Sequence, residues 1–193
     1  MYLFFDTETN GKAITFNAPV KKLDNWPRVT QLGWQLYDKE EKLIGEKSLL
    51  IKPDGWTIPK TEFFIENNMS TERCEEFGIP ISEAIGQLIK DMEKSEYLIA
   101  HNLIFDVNVI GAEFIRLGVK SNKKLKKFCT MRGSTNICKF PNPKGGYKWP
   151  TLTELHKFLF KEGFEGAHDA LDDVKACAKS FFELKKRKLI LKS

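Results

Sequence analysis

The chain opens on an apolar run, Tyr2-Leu3-Phe4-Phe5, that stops at the polar segment Asp6-Thr7-Glu8-Thr9. A short apolar run rich in aromatics and bounded by polar residues predicts a buried strand. Residues 10–28 are polar, contain Pro19 and Pro27, and predict a loop. Val29–Tyr37 and Lys42–Ile51 then predict two antiparallel strands joined by the charged turn Asp38-Lys39-Glu40-Glu41. Beyond them the period lengthens to that of a helix. Ser70 is a good N-cap for a turn or two ending near Gly78-Ile79-Pro80, and Ser82 opens a second helix with Ala84, Ile85, Leu88, Ile89 and Met92 on one face. Tyr97–Ala100 predicts a short buried strand that leads through His101-Asn102 into a helix from about Leu103 to Leu117, stopped by Gly118. Lys127–Thr130 supplies a fifth strand, and the Pro/Gly-rich residues 141–150 a loop. Thr151 and Glu154 form a capping box that opens a helix carrying Leu152, Leu155, Phe158 and Leu159, and a last helix runs from near Asp169 to Leu184 or beyond. Strands first, then helices alternating with two more strands, predict an α/β sheet covered on its faces.

Composition narrows the class. At 193 residues, 41% hydrophobic and 30% charged, the chain has room for one domain with a sizeable core, read as 1–184 followed by a basic tail at 185–193. That balance fits neither a disordered chain nor a membrane protein, and no apolar run is long enough to span a bilayer. The first strand starts at residue 2 with no leader ahead of it, so the expectation is a cytoplasmic location and no membrane partner. Cys74, Cys129, Cys138 and Cys177 show neither a Cys-x-x-Cys pair nor zinc-type spacing, which predicts reduced thiols.

The net charge of +5 is unevenly spread. No acid falls between Glu113 and Glu154, where ten bases, Lys123 and Lys124 among them, predict a phosphate-contacting surface. Acids concentrate elsewhere. Asp6 and Glu8 are two positions apart on a strand, so they point to one side while Thr7 points to the other. Two carboxylates that close repel unless a cation or a shared proton compensates, which makes the pair a candidate for a divalent metal. Asp106 and Asp173 each lie in the first turns of a predicted helix, where the macrodipole alone accounts for an acid. Asp169 reads as an N-cap and Asp172 as an ordinary first-turn acid.

Taken together, Asp6-x-Glu8, His101-Asn102-x-x-Phe105-Asp106 and His168-x-x-x-x-Asp173, in this order, resemble the DEDDh-type, DnaQ-like 3′-to-5′ exonucleases, the family of the proofreading epsilon subunit of DNA polymerase III. Phe5-Asp6-Thr7-Glu8-Thr9-Asn10-Gly11 nearly spells the family's opening signature, departing from its usual second threonine at Asn10. The resemblance runs from Phe5 to about Phe182. It implies an RNase-H-like mixed five-stranded sheet flanked by helices. It also implies that Asp6, Glu8, Asp106 and Asp173 bind two divalent ions, Mg2+ or Mn2+, with His168 as general base. The backbone at Thr9 and Asn10 would meet the 3′-terminal hydroxyl, with His101 and Asn102 beside the last nucleotides. Phe105 and Trp149 are candidates to stack on unpaired bases. The expected activity is release of nucleoside 5′-monophosphates from single-stranded or frayed nucleic-acid 3′ ends, DNA in preference to RNA, in company with a polymerase or repair partner. An exoribonuclease of the same fold and a non-catalytic nucleic-acid or polymerase-binding module are the alternatives. Sequence leaves the oligomeric state open.

Overall fold

A computed structural model describes residues 1–166 and 168–191 of the chain. Its strands are β1 (Tyr2–Thr9), β2 (Val29–Tyr37), β3 (Leu43–Leu50), β4 (Tyr97–Ala100) and β5 (Lys126–Cys129). Its α-helices are α1 (Glu62–Glu66), α2 (Thr71–Phe77), α3 (Ile81–Lys94), α4 (Leu103–Leu117), α5 (Thr130–Cys138), α6 (Leu152–Phe160) and α7 (Ala170–Lys186). The strands make one mixed sheet in the order β3-β2-β1-β4-β5. β2 pairs antiparallel with both β1 and β3, while β4 runs parallel to both β1 and β5. This is the expected five-stranded sheet flanked by helices.

Alternation along β1 builds two cores. Leu3 and Phe5 pack with residues of α3 and α4 on one face of the sheet, whereas Phe4 packs with α6 and α7 on the other. Each such side chain, fully removed from water, contributes about 1.5–3 kcal/mol. Asp6 and Glu8 continue the parity of Phe4 and so fall on the α7 face. Thr7 continues that of Phe5.

Two features of the sheet position the site. β4 is short and along β1 pairs only with Tyr2, Leu3 and Phe4, leaving the rest of that edge of β1 without a strand partner. Parallel register also aligns Lys126 of β5 with Tyr97 of β4, and Tyr97 with Tyr2. The start of β5 therefore lies at the end of the sheet away from Asp6, which is four residues, or about 13 Å at 3.3 Å per residue, further along β1.

Several local signals act as read. Ser70 caps α2 by accepting from the Arg73 amide, the Thr151–Glu154 capping box forms, and Asp169 caps α7 by accepting from the Leu171 and Asp172 amides. Ser82 does not cap α3, which begins one residue earlier at Ile81 with Pro80 before it. Glu62 and Glu66, which read as a solvated helix face, fall on α1, whereas the sequence pattern does not predict α5. In α5 the sequence Arg132-Gly133-Ser134-Thr135 is a poor helix former, but a side chain at 133 would sit 2.6 Å from the Phe128 ring, so glycine is what lets α5 pack down on β5. The predicted loop at residues 10–28 holds one 3-10 turn, Leu23–Asn25, and is tied to α4 through buried Glu113, which pairs with Arg28 at 2.8 Å and Arg116 at 2.9 Å. The cysteines are free thiols. Of the basic tail, Lys185 pairs with Glu41 and Arg187 with Glu183, Ile190 is buried, and Lys192 lies outside the described residues. No described helix is long and apolar enough to cross a membrane.

Candidate active site

The four carboxylates reach one place from three elements. Asp6 and Glu8 project from the α7 face of β1, near the end of the strand. Asp173 comes from the first turn of α7, which packs on β1 and β2. That helix sits close because Gly33, the residue paired with Asp6 across the sheet, has no side chain: a Cβ there would lie 2.6 Å from the Ala170 carbonyl carbon. Gln31, paired with Glu8, fastens the same helix end. Its side-chain amide donates to the Asp169 carboxylate at 2.8 Å and its carbonyl accepts from the Ala170 amide at 3.3 Å.

Asp106 comes from the opposite face. It stands on the first turn of α4 and is almost fully buried. Where β4 has ended, the exposed edge of β1 offers the Thr7 amide, which donates to Asp106 Oδ1 at 3.1 Å, and the Thr7 hydroxyl donates to the same oxygen at 2.8 Å. Thr7, which points away from Asp6 and Glu8, is thus the residue that orients the fourth carboxylate.

Burial and mutual repulsion dominate the electrostatics. Burial, reinforced by Asp106, Asp173, Glu8 and Asp169, holds the Asp6 carboxyl well above the usual carboxylate range. Burial and the charges of Asp173, Asp106 and Asp169 push Glu8 up to about 8. Burial raises Asp106 to about 7 against the opposing Thr7 hydrogen bonds, and raises Asp173 to about 6 against the His168 backbone amide and ring. Among the described residues no ion pair includes any of the four. A set of carboxylate oxygens this crowded, none of them in an ion pair among the described residues, fits hard divalent cations. Glu8, His168 and Asp173 each present a ligand atom within 4.8 Å of the others. His168 has a left-handed backbone, φ 75°, and an exposed ring that stands nearly perpendicular to that of Phe63, 5.2 Å between centroids.

Beside the carboxylates lies a cleft of about 460 Å³, lined by Thr7, Glu8, Thr9, Lys12, Phe63 and Phe105 among others. Thr9 and Phe105 are therefore at the cleft. Asn10 engages its side chain within the protein's own surface, donating to the Thr57 carbonyl and accepting from the Arg28 amide, while its neighbours Thr9 and Gly11 line the cleft. Asn102 is left-handed, φ 67°, and ends in the carbonyl that accepts from Phe105. The His101 ring is engaged at both nitrogens: Nε2–H donates to the Pro150 carbonyl at 3.0 Å, so Nδ1 accepts from the Thr130 hydroxyl at 3.0 Å. Burial lowers its pKa to about 4, and the ring is a neutral strut. His156 is buried as well, donating through Nδ1 to the Glu162 carbonyl. Lys123 and Lys124 are not brought to the site. They precede β5, at the far end of the sheet. The sequence reading missed Gly33, Gln31 and Phe63, whose roles arise only from packing.

Comparison with known proteins gives concordant results. The exonuclease family model matches residues 3–181. No curated protein matches by sequence. Among solved structures, E. coli exonuclease I in complex with a dT13 oligonucleotide superposes with a TM-score of 0.75 at 18% identity, covering 97% of this chain and 41% of that one. The complex of the same enzyme with a dA16 oligonucleotide gives 0.74 at 19% identity, with 97% and 41% coverage. Apo exonuclease I gives 0.74 at 18% identity, with 97% and 43% coverage. The chain thus spans about two fifths of the length of these structures, and at this identity the likeness establishes the shared RNase-H-like fold. On the family match across nearly its whole length, joined to that fold, the chain belongs to the exonuclease family, within the DnaQ-like superfamily that its motifs resemble.

Proposed function

We propose that this chain is a 3′-to-5′ exonuclease that hydrolyses single-stranded or frayed 3′ ends to nucleoside 5′-monophosphates, DNA in preference to RNA. The observation that carries the reading is the convergence of Asp6, Glu8, Asp106 and Asp173 on one place, none of them in an ion pair among the described residues. Two divalent ions, Mg2+ or Mn2+, held by these four residues would supply Lewis-acid stabilisation of the attacking and leaving oxygens in an in-line displacement. His168 takes a proton from the attacking water. Its exposed ring reaches the carboxylates from a non-helical segment, and histidine titrates near neutral pH. The cleft walls, Phe63 and Phe105, receive the terminal base, and the backbone at Thr9 and Asn10 faces the 3′-hydroxyl. The choice of DNA draws on exonuclease I, whose structures hold dT13 and dA16 oligonucleotides.

Replacing Asp6, Asp173 or His168 by alanine tests the assignment. Each variant should lose at least about a hundredfold in Mg2+-dependent shortening of an oligonucleotide, the lower end of what general-base catalysis supplies. Full activity in Asp6→Ala would overturn the metal site.

A further inference from the structure

One exposed aromatic outside the cleft is mounted with unusual firmness. Trp149 is 59% exposed, yet the backbone on both sides of it is fixed. Before it, the Lys148 amide donates to the Phe140 carbonyl and the Lys148 ammonium pairs with Glu154. After it, the Pro150 carbonyl accepts from His101 Nε2 at 3.0 Å, and the Thr151 amide donates to Glu154 at 2.9 Å. His101 directly follows β4 and precedes Asn102, so this bond ties Trp149 to the active-site end of the sheet. The Arg132 guanidinium lies over the indole, 5.3 Å from its centre. Arg132 also helps line an open, largely apolar pocket of about 280 Å³ with Leu103, Ile104, Val107, Lys127 and Cys129.

The pocket and the cleft share the first turn of α4. Phe105 lines the cleft and the preceding residue, Ile104, 46% exposed, lines the pocket. Adjacent helical residues diverge by about 100°, so a strand leaving the cleft past Phe105 meets Ile104 next. The surface it then reaches combines aliphatic side chains of α4 with an aromatic face, Arg132 and Lys127, the last three from a segment that has no acid from residue 114 to 153. An aromatic platform with flanking cations is the chemistry that holds unpaired nucleotides without reading their sequence. A fixed mount means that little ordering entropy is lost on binding.

We infer that Trp149, Arg132 and Ile104 form a second nucleotide subsite, which stacks an unpaired base upstream of the scissile bond and grips its phosphate. The inference rests on the exonuclease reading and adds to it a dependence on substrate length. In wild type, kcat/KM should rise from a dinucleotide to a hexanucleotide. Stacking on a protein aromatic corresponds to roughly tenfold per base or more. In Trp149→Ala the hexanucleotide-to-dinucleotide ratio should therefore fall about tenfold, and Trp149→Phe should restore it. Trp149 stands outside the core, so its replacement spares the fold, and a dinucleotide rate measured in parallel controls for this. A ratio unchanged in Trp149→Ala, or a wild-type rate independent of length, would overturn the subsite while leaving the nuclease reading intact. Absence of hydrolysis by wild type at every length would overturn the nuclease reading instead. The subsite would then be decided in EDTA by indole fluorescence: quenching by the hexanucleotide that disappears in Trp149→Phe supports it, and quenching that persists contradicts it.

Discussion

At the scale of single residues, the site is a repulsive cluster held in place by neutral donors. Thr7 gives Asp106 two hydrogen bonds from one residue, through the amide and the hydroxyl. Thr7→Val keeps the shape and the amide but removes the hydroxyl, and loss of such an orienting partner typically lowers metal affinity or activity about 10–100-fold. Titration of activity against Mg2+ would register it as a raised metal requirement; an unchanged titration curve would show that the amide suffices. The raised carboxyls also set how stability varies with pH. Glu8, Asp106 and Asp173 titrate at about 8, 7 and 6 in the metal-free fold, against about 4 in an unfolded chain. Between those values the folded state binds protons that the unfolded state has released. The stability they contribute is therefore complete below about pH 4 and is lost as the pH rises to about 8. In EDTA the melting temperature should fall from pH 5 to pH 8, and added Mg2+ should raise it more at pH 8 than at pH 5. A metal-free melting temperature that climbs over this range would contradict the clustering.

At the scale of elements, the site depends on one helix pressed against two strands and on one strand that stops early. Gly33→Ala places a methyl group into the Ala170 backbone, and overpacking of this kind costs about 1–3 kcal/mol. Because the strain falls where α7 delivers Asp173, activity should drop with stability, as measured by urea unfolding alongside a nuclease assay; normal stability in the Gly33→Ala variant would mean that α7 can shift freely. These same elements mark what could be read from the chain. A period of two set Asp6 and Glu8 on one side of β1, and cap residues located α2, α6 and α7. Local patterns also delimited β2, β4 and α4 to within a residue. The coupling of Thr7 to Asp106 could not be read, because it depends on the register that pairs β4 with Tyr2, Leu3 and Phe4 and leaves the β1 edge at Thr7 open. Nor could α5, whose weak helix formers are overridden by the fit of Gly133 against Phe128.

At the scale of the whole molecule, charge and chemistry are arranged along the sheet axis. The basic run looked like one phosphate surface in sequence, but parallel register divides it. Lys123 and Lys124 go to the end of the sheet away from the carboxylates, while Arg132 and Trp149 come to the near end. Strand pairing between distant segments decides that, and no local pattern encodes it. For a hexanucleotide, Arg132→Gln should reduce the salt slope of binding by about 0.7, the value for one single-strand phosphate contact, whereas changing Lys123 and Lys124 together to glutamine should alter it less. The reverse order would place the strand on the other end of the sheet. The claim on which the rest depends is directional, metal-dependent hydrolysis at the four-carboxylate site. The most direct test is digestion of one single-stranded oligonucleotide carrying a 5′ label or a 3′ label, in Mg2+ and in EDTA. The expected result is a descending ladder from the 5′-labelled strand, immediate release of a labelled nucleoside 5′-monophosphate from the 3′-labelled one, and neither in EDTA. Early release of a 5′-labelled mononucleotide, or undiminished digestion in EDTA, would contradict it.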